Sequence, residues 1–237
     1  MKTIFHPASG RGHVNFGWLN SFHSFSFGHW YDPLKVHFGA LRVLNDDQVL
    51  GGGGFGTHPH DNMEIVSIPL QGELTHRDSI GTEGLIKTGD VQIMSAGTGI
   101  QHSEMNASKT EPVSFLQIWV IPKTKNIKPR YDQKTFDLNQ RINKWQVVVS
   151  PEEKDGGVWI NQDARFALVK LEAGKIIEYQ PRFPNSGVYF FLIDGQVEAG
   201  GKQISRRDAI GISDVDKISI QANEDSDLLA IEVPMFS

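Results

Sequence analysis

Two short stretches of this chain, His58-Pro59-His60 and His102-Ser103-Glu104, place metal-binding side chains at i and i+2. Side chains on a β-strand alternate between faces, so residues two apart project the same way and can meet at one point. Two such pairs on facing strands bring three imidazoles and a carboxylate together, a nitrogen and oxygen set that suits a divalent first-row transition metal. All nine histidines (His6, His13, His23, His29, His37, His58, His60, His76 and His102) lie at or before position 102. Chemistry that needs imidazole is therefore confined to the N-terminal half.

The carboxylate is open at this level. Glu64 also stands in even register with His58 and His60, and strand parity does not choose between it and Glu104. Other candidates read as structural. His76 is expected to be a hydrogen-bonded strand residue, and His13, His23, His29 and His37 form no compact ligand set. The glycines from Gly51 to Gly54 are not a phosphate loop, because no Gly-Lys-Ser/Thr and no helix start follow them. They are expected to give the backbone a tight entry into the strand that carries the ligands. The aromatic set Phe16, Trp18, Phe22, Phe25, Phe27, Trp30 and Tyr31 is expected to pack a core or a domain interface rather than wall a pocket.

The elements that must position these residues are strands. Met63–Ile68, Val91–Met94, Val113–Ile121 and Val188–Ile193 are short, rich in β-branched and aromatic residues, and bounded by Gly, Pro, Asp or Asn. Sustained helical periodicity is scarce, which predicts an all-β protein. A chain of 237 residues can hold one large β domain or two. A break is expected near residues 122–144, where the polar run Pro122–Arg130 contains two prolines. Its basic residues Lys123, Lys125, Lys128 and Arg130 read as a solvated surface. A weak internal repeat supports two domains. Leu70-Gln71-Gly72-Glu73-Leu74 resembles Ile193-Asp194-Gly195-Gln196-Val197, and Lys87–Ile93 resembles Ser205–Gly211. Counting back from the turn glycines, the positions of His58 and His60 fall on Pro181 and Phe183, so the second copy is expected to keep the scaffold and lack the ligands.

Composition excludes several classes. A net charge of −5 argues against a general nucleic-acid binder. The absence of cysteine removes disulfides, thiolate ligands and a cysteine nucleophile. No segment approaches the roughly 18 consecutive apolar residues of a membrane span. A soluble cytoplasmic protein without nucleic-acid or membrane partners is the expectation.

The motifs carry a family resemblance. The segment Gly52 to Gly72, with His58, His60 and Glu64, resembles the first motif of the cupin β-barrels, and Gly89 to Asn106, with Gly97 and His102, resembles the second. More closely, Phe55-Gly56-Thr57-His58-Pro59-His60, Gly72–Ser79 and Ser95–Glu104 resemble the pirin family of bicupins, as do Arg11-Gly12-His13, Phe22–Phe27 and Gln117-Ile118-Trp119. The resemblance to bacterial quercetin 2,3-dioxygenase-like pirins spans most of the chain and is weakest after about residue 135.

That resemblance implies two consecutive cupin barrels, a metal-binding domain over 1–130 and a cupin-like domain without ligands over 131–237. It implies one metal per chain at His58, His60, His102 and Glu104. Iron(II) comes first, with copper, manganese, nickel, cobalt or zinc as alternatives. Glu104 is favoured over Glu64, which would orient a histidine from behind. The implied reaction is oxygen-dependent cleavage of a flavonol such as quercetin with release of carbon monoxide, Glu104 also accepting the substrate proton. The alternative is an iron-dependent redox-sensing regulator that binds a protein partner. A monomer is expected, since two fused barrels bury each other's apolar faces.

Overall fold

The computed structural model describes residues 1–236. Twenty-two strands and three short 3-10 turns make up the regular structure, and the strands fall into four sheets. The N-terminal half uses β2 (Gly12–Asn15), β3 (Leu19–His23), β4 (Leu41–Val49), β6 (Glu64–Gln71), β9 (Asp90–Ser95), β11 (Val113–Val120) and β12 (Arg130–Thr135) in one seven-stranded sheet. Facing it is a four-stranded sheet of β5 (Gly54–His60), β7 (Glu73–Asp78), β8 (Glu83–Lys87) and β10 (Ile100–Asn106), in the order β5-β10-β7-β8.

The C-terminal half repeats the plan. Its larger sheet contains β1 (Lys2–His6), β13 (Gln146–Ser150), β14 (Val158–Trp159), β15 (Arg165–Leu171), β17 (Ser186–Asp194), β20 (Ala209–Ser213) and β22 (Ser226–Pro234). Its smaller sheet is β16 (Ile176–Tyr179), β18 (Gln196–Ala199), β19 (Lys202–Ser205) and β21 (Ile218–Ala222), in the order β16-β21-β18-β19. The turns repeat as well. Gly72 and Gly195 both have positive φ (78° and 90°), and Asp90 and Asp208 each accept the backbone N–H three residues back, from Lys87 and Ser205, at 2.9 Å. The chain is an all-β bicupin.

Strand pairing crosses the expected 130/131 division at both ends of the N-terminal half. β1 pairs with β20 in the C-terminal sheet, and β12, within the segment read as a linker, pairs with β9 in the N-terminal sheet. Each outer strand completes a large sheet at the equivalent edge, so the halves are laced together by their first and last strands.

The two large sheets pack face to face. Leu44, Val66, Leu116 and Ile118 from one meet Phe166, Tyr189, Leu229 and Ile231 from the other in the largest apolar cluster. Alternation on each strand then turns the intervening residues inward, into a barrel. The inward face of the C-terminal barrel is one continuous apolar cluster. In the N-terminal barrel the apolar lining divides into a group around Leu74, Ile86 and Phe115 and another around Ile65, Met94 and Ile100. Buried polar side chains separate the two groups, among them Ser67, Gln92 and Gln117. The ligand candidates sit at that level.

Candidate metal centre

β5 and β10 are antiparallel neighbours, with His102 directly opposite His58 and Ile100 opposite His60. That register makes His58 and His102 a cross-strand pair on one face, with His60 two residues along. The three rings form a triangle with centroid separations of 4.8, 4.4 and 4.9 Å. Close strand approach needs Gly54, where an added Cβ would lie 2.6 Å from the Glu104 carbonyl oxygen. An irregularity between His102 and Glu104 sets Glu104 opposite Phe55, so two residues of β5 face Ser103 and Phe55 is turned into the barrel.

On its other side β10 pairs with β7, and Glu104 stands opposite His76. Among the described residues, two groups have one donor atom per residue within 4.8 Å of each other: His58, His60 and His102, and His76, His102 and Glu104. His102 belongs to both. His76 is hydrogen-bonded as expected, its Nε2 lying 3.1 Å from Asp78 Oδ2, yet its buried Nδ1 has no partner and it joins the cluster. Glu64 joins neither group. The chain turns at Asn62 (φ 44°) between His60 and Glu64, so Glu64 opens β6 in the opposite sheet and the parity argument does not reach it. Its carboxylate accepts from Ser95 Oγ (2.8 Å) and from Asn161 N of the C-terminal half (3.1 Å), orienting no histidine.

The donor set fits a metal ion. His58 Nδ1 contacts the Gly56 carbonyl at 2.8 Å, which leaves Nε2 free in the manner of a ligating imidazole. Both ring nitrogens of His102 are buried without a partner, a costly state that an ion relieves at one of them. Burial, and then the neighbouring histidines, hold His60 down to about 4 and His102 down to about 2, so both present neutral rings at neutral pH. Glu104 is pushed up by burial and restrained by His76 and by hydrogen bonds from Ser67 (3.0 Å) and Gln117 Nε2 (2.7 Å).

A cavity of about 330 Å3 opens over this cluster, at the lower end for small-molecule sites. His58, His60 and Glu104 line it together with Phe16, Trp18, Phe27, Phe55 and Trp119. Trp119 stands edge-on to His60 (4.9 Å), Phe27 to Trp119 (5.3 Å) and Trp18 to Phe55 (5.3 Å). The aromatic set expected to pack is thus divided. Phe25 is fully buried in the interdomain core and Phe22 stacks on His13, whereas Phe16, Trp18 and Phe27 are walls of the cavity. His23 and His29, expected to be surface or structural, also line it. Sequence assigns no role to Ser67, and none to Gln117 beyond the family resemblance, although a polar residue at the inward position of Val66-Ser67-Ile68 or Leu116-Gln117-Ile118 is the signal that marks them.

Pirin-type sequence covers residues 5–120, and residues 147–233 match the family described as "Quercetinase C-terminal cupin domain". A protein of Escherichia coli K12 called quercetin 2,3-dioxygenase is 43% identical over 231 residues, covering 96% of each chain. The chain belongs to the pirin family. A pirin-like protein of Caulobacter vibrioides is 38% identical, covering 95% of this pirin and 97% of its own length. The crystal structure of YhhW from Escherichia coli superposes with a TM-score of 0.94 at 40% identity, covering 99% of both chains. A second structure of YhhW is a complex with nickel(II) and has a TM-score of 0.93 at 40% identity, covering 99% of this chain and 100% of that one.

The C-terminal barrel of this pirin has no ligands at the matching places. With Gly72 aligned on Gly195, the pair Leu74–Asn106 corresponds to Val197–Ala222, and His76–Glu104 to Ala199–Ile220. His102 then corresponds to Ile218, and His58, opposite it, to Tyr179. The equivalents of His58 and His60 are therefore Tyr179 and Pro181, not Pro181 and Phe183, because the connection into β17 is two residues longer than the connection into β6. No helix among the described residues is long and apolar enough to cross a membrane.

Proposed function

We propose that this pirin is a metal-dependent dioxygenase that opens flavonols such as quercetin with O2 and releases carbon monoxide. The observation that carries this reading is the position of the donor set: His58 and His60, with His102 packed against both, and the Glu104 carboxylate lie at a cavity walled largely by aromatic side chains. His58, His60, His102 and Glu104 are the proposed ligands, with iron(II) as the first choice of metal. When bound, the metal supplies positive charge that acidifies a coordinated hydroxyl, and coordination positions left open by the protein.

The chain's own residues do the rest. Trp119, Phe27 and Phe55 exclude water around the donor set and form flat apolar surfaces against which a planar ring system can lie. Glu104 is held in place by Ser67 and Gln117, and burial raises its affinity for a proton, so it is suited to take the proton of the flavonol 3-hydroxyl. The Ser67 hydroxyl lies 3.0 Å from both Glu104 Oε1 and Gln117 Oε1 and has one proton to give. Donation to Gln117 leaves a lone pair facing a protonated Glu104, and donation to Glu104 stabilises the carboxylate. The pair can therefore accommodate either state without moving. In the overall reaction both atoms of O2 enter the ring-opened ester, one ring carbon leaves as carbon monoxide, and no external reductant is needed.

The test is anaerobic metal analysis followed by oxygen-dependent quercetin turnover with detection of carbon monoxide, in wild type, His58→Ala and Glu104→Gln. Turnover is expected in wild type only. Full turnover by a metal-replete Glu104→Gln removes the base, and a metal-replete wild type that cleaves no flavonol removes the dioxygenase reading.

A further inference from the structure

The wall of the cavity formed by β3 and β4 is polar in a way that neither metal binding nor packing explains. Ser21 and His23 on β3 share a face, as do Asn45 and Asp47 on β4, and the ladder sets Ser21 opposite Asp47 and His23 opposite Asn45. All four are buried, and all four line the cavity. They form a two-by-two polar tile set among Phe16, Trp18, Leu19 and Phe27.

The tile has unused hydrogen-bonding capacity. Asp47 accepts from Ser21 through Oδ1. Asn45 Oδ1 and His23 Nδ1 are buried without partners. Trp119 Nε1, on the adjoining wall, is a third orphan. Leaving such groups unsatisfied is costly, and a fold has no need to place three around one cavity. The C-terminal barrel fills the positions of Asn45 and Asp47 with Ala167 and Val169, both in its apolar core.

We propose that the Ser21-His23-Asn45-Asp47 tile is a specificity subsite that hydrogen-bonds hydroxyl groups on the end of an aromatic ligand remote from the metal. The subsite selects polyhydroxylated rings over bare ones, because a site built from buried polar groups rejects an analogue that leaves them unpaired more strongly than an apolar pocket rejects an added hydroxyl. Ser21, its proton given to Asp47, and the Asp47 carboxyl offer acceptors to a ring hydroxyl, and Asn45 offers an acceptor already free of protein partners. The inference rests on the reading of this cavity as an aromatic-ligand site, though not on turnover.

Equilibrium binding tests it in the nickel-loaded protein without oxygen, read by quenching of tryptophan fluorescence. The probes are quercetin and 3-hydroxyflavone, which share the metal-binding edge and differ in the remaining hydroxyls. Wild type is expected to bind quercetin at least tenfold more tightly. In Asn45→Ala and Asp47→Val, which install the residues of the other barrel, that preference is expected to fall below about threefold, while 3-hydroxyflavone affinity changes by less than about twofold. Asp47→Asn keeps a hydrogen-bonding group and is expected to keep the preference, so it and Asn45→Ala carry the test if Asp47→Val does not fold. A wild type that binds both probes equally or neither, or variants that retain the full preference, overturn the subsite. A preference that holds while wild type cleaves no flavonol overturns the dioxygenase reading and leaves the subsite standing.

Discussion

The two barrels of this chain share strand order, turn chemistry and register, and they differ in what fills the middle. Around the centre of the N-terminal barrel lie His76, His102, Glu104, Ser67, Gln117, Asn45 and Asp47. The register equivalents in the C-terminal barrel are Ala199, Ile218, Ile220, Phe190, Ala230, Ala167 and Val169, all of them members of one apolar cluster. Even the mouth differs. Where the first barrel has His58 and Trp119 beside an open cavity, the second has Tyr179 and Glu232, and Glu232 accepts from the Tyr179 hydroxyl, the Arg182 and Phe183 amides and Ser186 Oγ. The scaffold therefore does not require a polar centre. One copy closes over an apolar interior that stabilises the fold, and the other carries desolvated polar groups that a bound ion and ligand can satisfy.

The most severe way to break this contrast is to write one barrel into the other. His102→Ile installs the C-terminal residue at the position shared by both converging groups. Metal affinity, measured by anaerobic titration, is expected to fall more than about a hundredfold, since a lost ligand costs more than the 10- to 100-fold typical of a supporting residue. The same change removes two unpartnered buried nitrogens, so the metal-free variant is expected to unfold at a higher temperature than metal-free wild type. Retained metal would transfer the centre to other donors. A lower melting temperature would show that His102 is packed as a structural residue.

The converse change acts on stability alone. Phe190 is 1% exposed within the C-terminal core and corresponds to Ser67 beneath Glu104. Phe190→Ala is expected to cost about 3–5 kcal/mol in denaturant unfolding. Metal affinity is expected to stay within about twofold, because the two interiors are separated by the packed outer faces of the large sheets. A large drop in affinity at full occupancy of the folded state would mean that the barrels are coupled more tightly than their separate interiors imply.

How far these differences are visible in sequence depends on how local they are. His58-Pro59-His60 and His102-Ser103-Glu104 are legible because strand periodicity converts spacing into a shared face, and the Gly72 and Gly195 turns because positive φ selects glycine. Glu64 stays open as an alternative to Glu104 in sequence for the same local reason. Even spacing on paper does not survive the turn at Asn62. The polar centre is illegible because its members come from four strands, β3, β4, β6 and β11, and no local pattern says which of their polar residues meet. Only the pairing register places Asn45, Gln117 and Ser67 in one row. The exchange of β1 and β12 across the halves is likewise a property of sheet edges, and no local pattern announces it.

The smallest expected effect probes the seam between the barrels. Glu64 corresponds to Gly187 in the second barrel, so the tie it makes to Asn161 has no counterpart there. Burial pushes Glu64 up to about 7, against the opposing hydrogen bonds from Asn161 and Ser95. With an unfolded value near 4.5, the folded state holds the extra proton between about pH 4.5 and 7. The contribution of Glu64 to stability is therefore fully present below about 4.5 and is lost as pH rises through about 7. Glu64→Gln keeps a hydrogen-bonding amide and removes the titration. Its stability relative to wild type is expected to improve between pH 4.5 and 7.5 by up to about 3 kcal/mol, followed by urea unfolding at each pH. A difference that does not change with pH would mean that Glu64 is ionised throughout, held by Ser95 and the Asn161 amide strongly enough to offset its burial. The seam would then be a fixed charged tie, and proton uptake would be no part of how the two barrels hold together.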